Sequence, residues 1–385
     1  MNTNPLVALT ALGQSIWFDT IERGLITTGE LKRMIDEDAV RGVTSNPAIF
    51  EKAINGSDIY AGQLTELARQ GRSAMDIYEA LAIADIQSAA DLLAPVYGRS
   101  GGADGYVSLE CNPLLAHDTA ATIEEARRLW GLVARKNVMI KIPGTPAGMP
   151  AIEQCIYEGL NINITLLFSL ESHRQTINAY VQGLERRAAE GKPVTGIGSV
   201  ASFFVSRIDT AVDRRLNEMI AANADPAEKA RLESLVGKIA IANAKMAYQL
   251  FKEVFHGERF AALKAKGATV QRPLWASTST KNPAYPDTYY VDALMGPETV
   301  NTIPLVTFNA FRDHGRPSVM IEDDLEAERR RLASLEEAGI SLDEVTAQVL
   351  DEAVRLFVEP FEKLLASIEA RRKEALGKPI GAATD

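Results

Sequence analysis

Cysteine, histidine and tryptophan are all scarce in this chain of 385 residues, at two, four and three copies. Cys111 and Cys155 both sit in apolar or helix-like stretches, so a disulfide framework is not expected and free thiols in a reducing cytoplasm are. His117, His173, His256 and His314 are far apart and lack metal-ligand spacing, so no metal site is expected. Trp17, Trp130 and Trp275 read as packing residues rather than a cofactor box. Positive charge is also in deficit, with 41 Lys and Arg against 51 Asp and Glu and a net charge of -10. That balance argues against a nucleic-acid binder or a partner of anionic membranes, and any anionic ligand has to be met by local cations. No apolar run approaches the length needed to span a bilayer, and MNTNPLVALTALGQS carries no basic segment ahead of its short apolar run. A cytoplasmic protein is therefore expected, and the glycosylation-like triplets at 55–57 and 163–165 are chance matches.

What the chain does have is ordinary globular composition, 46% hydrophobic and 24% charged, and a regular alternation of patterns. Eight short runs rich in β-branched and aromatic residues recur at 15–20, 41–46, 106–111, 138–143, 161–167, 195–202, 272–277 and 302–308. Between them lie stretches with apolar residues at helical spacing, such as 74–98, 119–136 and 169–191. Alternation alone fits an open doubly wound sheet as well, but eight strands over roughly 300 residues fit a parallel (β/α)8 barrel of the TIM type better. The expectation is a single barrel domain over 1–385, with a long helical segment at 226–257 as an insertion. Helices at 322–377 pack on the barrel, with Ser341 as an N-cap, and KPIGAATD forms a loose tail. Asp19, Asn46, Glu110, Lys141, Thr165 and Ser202 each fall at or near the C-terminal end of a different run, the rim where such barrels collect their chemistry.

One of these runs is chemically odd. VMIKIP places Lys141 among Val138, Met139, Ile140 and Ile142, where a buried ammonium is costly unless it is paired, carried to the strand end or neutralised. An amine forms a Schiff base only when neutral, and an apolar surrounding favours the neutral form. A lysine that snorkels to solvent or pairs with a carboxylate is the plainer alternative.

Three stretches move the balance. GVTSNPAIF (42–50), VMIKIPGTPAG (138–148) and SVASFFVSRID (199–209) resemble the signatures of the transaldolase family, and the likeness in order and spacing runs from about Phe18 to Phe308. The resemblance implies a class I, metal-free and cofactor-free aldolase-type enzyme on an eight-stranded barrel, with the Schiff-base lysine on the fourth strand, where Lys141 falls. By the same likeness, Asp19 is the acid/base residue of carbon–carbon cleavage, and Glu110 with Thr165 and a water moves protons while the carbinolamine dehydrates. Asn46 and Asn163 hydrogen-bond the hydroxyls of a dihydroxyacetone unit with Ser202 beside them, Phe204 is a further substrate-binding residue, and Arg207 with Lys281 binds phosphate. Two local alternatives stand against these roles: Asp19 as a helix N-cap and Asn46 before Pro47 as a turn residue. The extra proline in PGTPAG, and Phe203 where a proline is usual, point to a longer-chain subgroup of the family.

The expected activity is transfer of a dihydroxyacetone unit from sedoheptulose 7-phosphate or fructose 6-phosphate to glyceraldehyde 3-phosphate or erythrose 4-phosphate, in the pentose phosphate pathway. Sugar phosphates are the expected partners, with the chain a monomer or homodimer. A fructose-6-phosphate aldolase is the nearest rival, and Glu110 and Phe204 favour the transferase because the resembling aldolases tend to carry glutamine and tyrosine there. A non-catalytic sugar-phosphate binder would leave both carboxylates surplus. GIGSVA (196–201) passes for a relaxed dinucleotide fingerprint but lacks an acidic residue ending a second strand about 20 residues on.

Overall fold

The computed structural model describes residues 4–377, so the expected loose tail lies outside the described residues. Eight strands, β1 (Gln14–Phe18), β2 (Val40–Val43), β3 (Tyr106–Glu110), β4 (Val138–Pro143), β5 (Ile162–Leu167), β6 (Ser199–Phe204), β7 (Arg272–Ala276) and β8 (Thr299–Ile303), close into a barrel in sequence order. Every neighbouring pair is parallel, including β8 on β1. Parallel neighbours need crossovers, and helices supply them on the outer face. The strands are therefore buried on both sides, which is why VMIKIP and INITLL read as continuous runs rather than alternating ones. Close packing extends to β2, where a Cβ on Gly42 would stand 2.5 Å from the Trp17 indole.

Two expected runs are displaced. The sixth begins at Ser199 rather than 195, since Gly196 turns the chain at φ +74°, and it extends to Phe204. The eighth is Thr299–Ile303, and the run TIPLVTF leaves the sheet at Pro304, which caps a helix over Leu305–His314. Leu305 and Val306, apolar as they are, point outward at 47% and 79% exposure. The segment expected as one helical stretch from 226 to 257 is two helices, Pro226–Glu233 and Ile239–Phe255.

Register does the first work of placing the chemistry. In-register residues of parallel neighbours share a face, and Glu110 pairs with Lys141 while Lys141 pairs with Asn163. Three polar groups are thus brought side by side inside the barrel by backbone pairing alone.

Beyond the barrel, helix Leu325–Glu337 packs on helix Ile239–Phe255, where Lys245 donates to the Asp323 carbonyl at 2.8 Å. The last helix, Leu342–Gly377, starts where Ser341 Oγ accepts from the Glu344 amide at 3.4 Å. One flank is held by Phe361 edge-on to Tyr78 at 5.4 Å and by Ser367 donating to Asn55 at 2.6 Å. On the other flank Arg215 donates to Gln348 at 2.8 Å. Those anchors belong to helices Pro47–Asn55, Ala74–Arg99 and Ser206–Ala222, which follow β2, precede β3 and follow β6. The helix consequently lies across the C-terminal mouth of the barrel. No described helix is long and apolar enough to cross a membrane.

Candidate active site

A cavity of about 170 Å³ opens at that mouth, lined by Asp19, Asn46, Lys141, Thr165, Ser202, Phe204, Arg207 and Lys281 among others. Eight of the ten residues singled out from sequence therefore meet around one space, though they come from strands and loops throughout the barrel. Glu110 and Asn163 do not line it and lie just beneath. Asn163 is fully buried, accepts from Ser202 Oγ at 2.7 Å and donates to Ser108 Oγ at 2.9 Å. Its amide holds Ser202 in place and keeps one donor and one lone pair uncommitted.

Lys141 is 5% exposed, and its Nζ donates to the Ser45 carbonyl at 3.2 Å. The same nitrogen lies 3.2 Å from Glu110 Oε2 and 5.6 Å from the centroid of the Phe357 ring. Apart from that ion pair, the buried Glu110 carboxylate oxygens have no hydrogen-bond partner among the described residues, and neither does the buried Thr165 Oγ1. Burial pushes the Glu110 carboxyl up to about 7, against the pull of the lysine ammonium. On its far side a second cavity, about 20 Å³, is lined by Glu110, Tyr78 and Phe361, room enough for a single water at roughly 10–15 Å³ each. A carboxyl that titrates near neutrality beside an amine is suited to take a proton from it and hand the proton on.

Asp19 sits one residue past the end of β1. Its carboxylate accepts from Thr44 Oγ1 at 2.6 Å, and Thr44 in turn shares a 2.6 Å hydrogen bond with Thr302. Burial raises the Asp19 carboxyl above its ordinary range, while the Thr44 hydrogen bond and the charges of Lys141 and Lys281 pull it back. It caps no helix: the helix that follows, Arg23–Thr27, has Glu22 at its N-cap. Asn46, by contrast, is an N-cap, because Oδ1 accepts from the Ile49 amide at 2.9 Å at the start of helix Pro47–Asn55, with Pro47 at the first helical position. Capping engages the oxygen of a residue that also lines the cavity, and Nδ2 has no hydrogen-bond partner among the described residues, so the local role does not exclude a binding one.

Two cations complete the wall. Arg207 makes no ion pair with a described residue; burial lowers its guanidinium from the ordinary value, opposed by the charge of Glu352. Phe204 lies under it, ring centroid 6.0 Å away. Lys281 donates to Ser279 Oγ at 2.7 Å and is lowered by desolvation and by its neighbour Arg207. Two like charges held in mutual repulsion at a cavity rim form a ready site for a doubly charged anion. Helix Ser206–Ala222, which carries Arg207, is joined to the segment after Lys281 by Tyr285 donating to Asp213 at 2.6 Å and Tyr290 donating to Asp209 at 2.9 Å.

Sequence reasoning missed Thr44, Ser45, Thr302 and Phe357. The first two lie inside the TSNP motif and were within reach of it; Phe357 belongs to an apolar helical stripe that reads as core. Of the tryptophans, Trp17 and Trp275 are fully buried in the core. His173 is buried edge-on to Phe203, and no group of three or more metal-ligating side chains occurs among the described residues.

Comparison with known proteins agrees with this geometry. A family model described as transaldolase/fructose-6-phosphate aldolase matches residues 16–368. A protein of Trichodesmium erythraeum named transaldolase is 48% identical over 376 residues, 97% of this chain and 99% of that one. A transaldolase 2 of Nostoc punctiforme is 49% identical with the same coverage, and a transaldolase of Thiobacillus denitrificans is 47% identical over 360 residues, 94% of this chain and 98% of its own.

Proposed function

The chain belongs to the transaldolase/fructose-6-phosphate aldolase family, and from that membership we propose that Lys141 carries a dihydroxyacetone unit from one sugar phosphate to another. The activity is that of a transaldolase, a transferase of ketone residues. Sedoheptulose 7-phosphate or fructose 6-phosphate is the donor, and glyceraldehyde 3-phosphate or erythrose 4-phosphate the acceptor, within the pentose phosphate pathway. The observation that carries this reading is one buried amine at the floor of the cavity, 3.2 Å from a buried carboxylate whose oxygens are otherwise unpartnered.

In the forward half-reaction the neutral amine of Lys141 adds to C2 of the ketose. The proton that Lys141 gives up on becoming neutral goes to the C2 oxygen and makes the carbinolamine hydroxyl; Glu110 then accepts the proton that the new ammonium sheds and delivers it to that hydroxyl, which leaves as water. Thr165, on the cavity wall, is a relay for that proton. Asp19 then removes the proton of the C4 hydroxyl, the C3–C4 bond breaks, and its electron pair flows into the protonated imine to give an enamine. The aldose phosphate departs and the acceptor aldehyde enters. The same groups run in reverse, so Asp19 returns its proton to the new hydroxyl. Asn46 Nδ2 and Ser202 orient the three-carbon unit, while Arg207 and Lys281 grip the phosphate at the far end. Two free buried thiols, Cys111 and Cys155, support a reducing, cytoplasmic setting.

Sodium borohydride added with fructose 6-phosphate reduces the imine and is expected to leave a stable three-carbon adduct on Lys141, read by mass spectrometry of the peptide. An unmodified Lys141 during turnover would rule the mechanism out. Transfer to erythrose 4-phosphate, measured beside release of free dihydroxyacetone, separates a transferase from an aldolase.

A further inference from the structure

The last helix does more than close the barrel mouth, because it brings one aromatic ring to the reacting nitrogen. Phe357 is 5% exposed, lines the cavity, and presents its ring to Lys141 Nζ at 5.6 Å from the centroid. That is within the roughly 6 Å at which a ring face attracts a cation. Its neighbours on the same helical stripe behave differently. Phe361 packs on Tyr78, and Val354 and Ala353 are buried and do not line the cavity. Two aromatic rings line the cavity: Phe204 lies against Arg207, and Phe357 is the one set over Lys141 Nζ, whose nearest charged neighbour is Glu110.

We propose that the Phe357 ring is the specificity-determining residue that keeps water from the imine and enamine on Lys141, so that the three-carbon unit leaves to an aldehyde and not to water. This rests on the transaldolase reading above. The competing reaction is balanced without any further reagent. The enamine takes a proton at C3 from an acid of the site, water adds to the iminium carbon, and the carbon–nitrogen bond breaks. Dihydroxyacetone is released as one proton of the added water goes to the lysine nitrogen and the other returns to the acid that protonated C3. Chain and cavity leave that route open in principle, since 170 Å³ exceeds the roughly 10–15 Å³ that one water needs. The ring blocks it in two ways. It covers the amine, and its face favours the iminium cation, which slows attack by water relative to the enamine's reaction with a bound aldehyde.

The test uses the full chain with fructose 6-phosphate, with and without erythrose 4-phosphate, and reads transfer product and free dihydroxyacetone in parallel. In Phe357→Ala the ratio of release to transfer is expected to rise about tenfold, within the roughly 2- to 30-fold span of a cation–π contact. Phe357→Leu, which keeps bulk but not the ring, is expected to raise it a few-fold and serves where the alanine variant does not fold. Leu364→Ala loosens the same helix at a buried residue that lines neither cavity, and its ratio is expected to stay at the wild-type value. An unchanged ratio in whichever Phe357 variants fold overturns the assignment, as does an equal rise in Leu364→Ala, which would make helix loosening the cause. Absence of transfer by the wild-type chain would instead sink the transaldolase reading itself, so the two failures are distinguishable.

Discussion

Replacing Glu110 by glutamine isolates the proton that the chemistry needs most. The amide fills the same volume beside Lys141 but can neither accept the ammonium proton nor return it, so one positioned acid–base group is lost. Loss of such a group costs about 100- to 10,000-fold, or roughly 3–5 kcal/mol of barrier. The structure also fixes the pH signature. Burial holds the Glu110 carboxyl near 7, and below that value it carries its proton and cannot take another from the ammonium. In wild type, log kcat/KM is therefore expected to climb with unit slope as pH rises toward about 7 and then to level, a limb that belongs to the Lys141–Glu110 pair as a unit. Initial rates of transfer across about pH 5.5 to 8.5 at constant ionic strength measure it, and borohydride trapping in a single turnover reports imine formation separately. The glutamine variant is expected to lose the limb and to form the imine slowly while cleavage of a preformed imine is less affected. A variant within tenfold of wild type, or one that keeps the same acid limb, refutes the assignment of Glu110 to this proton.

Arg207→Ala is expected to raise KM for fructose 6-phosphate by about 10- to 100-fold, the usual loss for a charge-assisted contact, while leaving kcat/KM for unphosphorylated fructose near its wild-type value. An equal loss on both sugars would count against a phosphate role. Asp209 lends itself to a stability test, since burial pushes its carboxyl up to about 7 and the folded state holds its proton where the unfolded state, near 3.8, does not. Its contribution is complete below about 4 and is lost as pH rises to about 7, so wild type relative to Asp209→Asn is expected to lose about 3 kcal/mol between pH 5 and pH 8. Urea midpoints for both proteins at the two pH values check it, and a difference independent of pH would contradict the sign.

The barrel was legible because its strands are buried on both faces, which concentrates β-branched residues into discrete runs separated by helical periodicity. Where that logic lapsed, backbone and exposure explain it. TIPLVTF has the composition of a strand, but Pro304 cannot donate to a ladder and begins a helix whose first residues face solvent. At Asn46 the sequence offered a turn or a ligand, and the fold makes it a helix cap that still presents a free amide donor. The rim residues were readable because parallel strands end at one rim, so strand order is enough to collect them. Phe357 was not, since nothing local distinguishes a ring that faces a cavity from the Phe361 ring one turn later that faces Tyr78.

That asymmetry follows from how each part of the site is built. Glu110, Lys141 and Asn163 are neighbours through backbone register, a short-range consequence of three adjacent strands. The proposed phosphate grip depends on longer connections, with Arg207 on one helix and Lys281 in a loop, and Tyr285 and Tyr290, which follow Lys281, hydrogen-bonded to Asp213 and Asp209 of the Arg207 helix. Those buried carboxylates oppose folding at neutral pH, as the raised values of both show, and fixing the spacing of two repelling cations is a function that would offset the cost. The ring over the lysine is further removed still, since it depends on the last helix being anchored on both flanks by helices that follow β2, precede β3 and follow β6. On the proposed reading, chemistry in this fold is set by the strands, affinity by clasps between crossovers, and discrimination against water by the C-terminal helix.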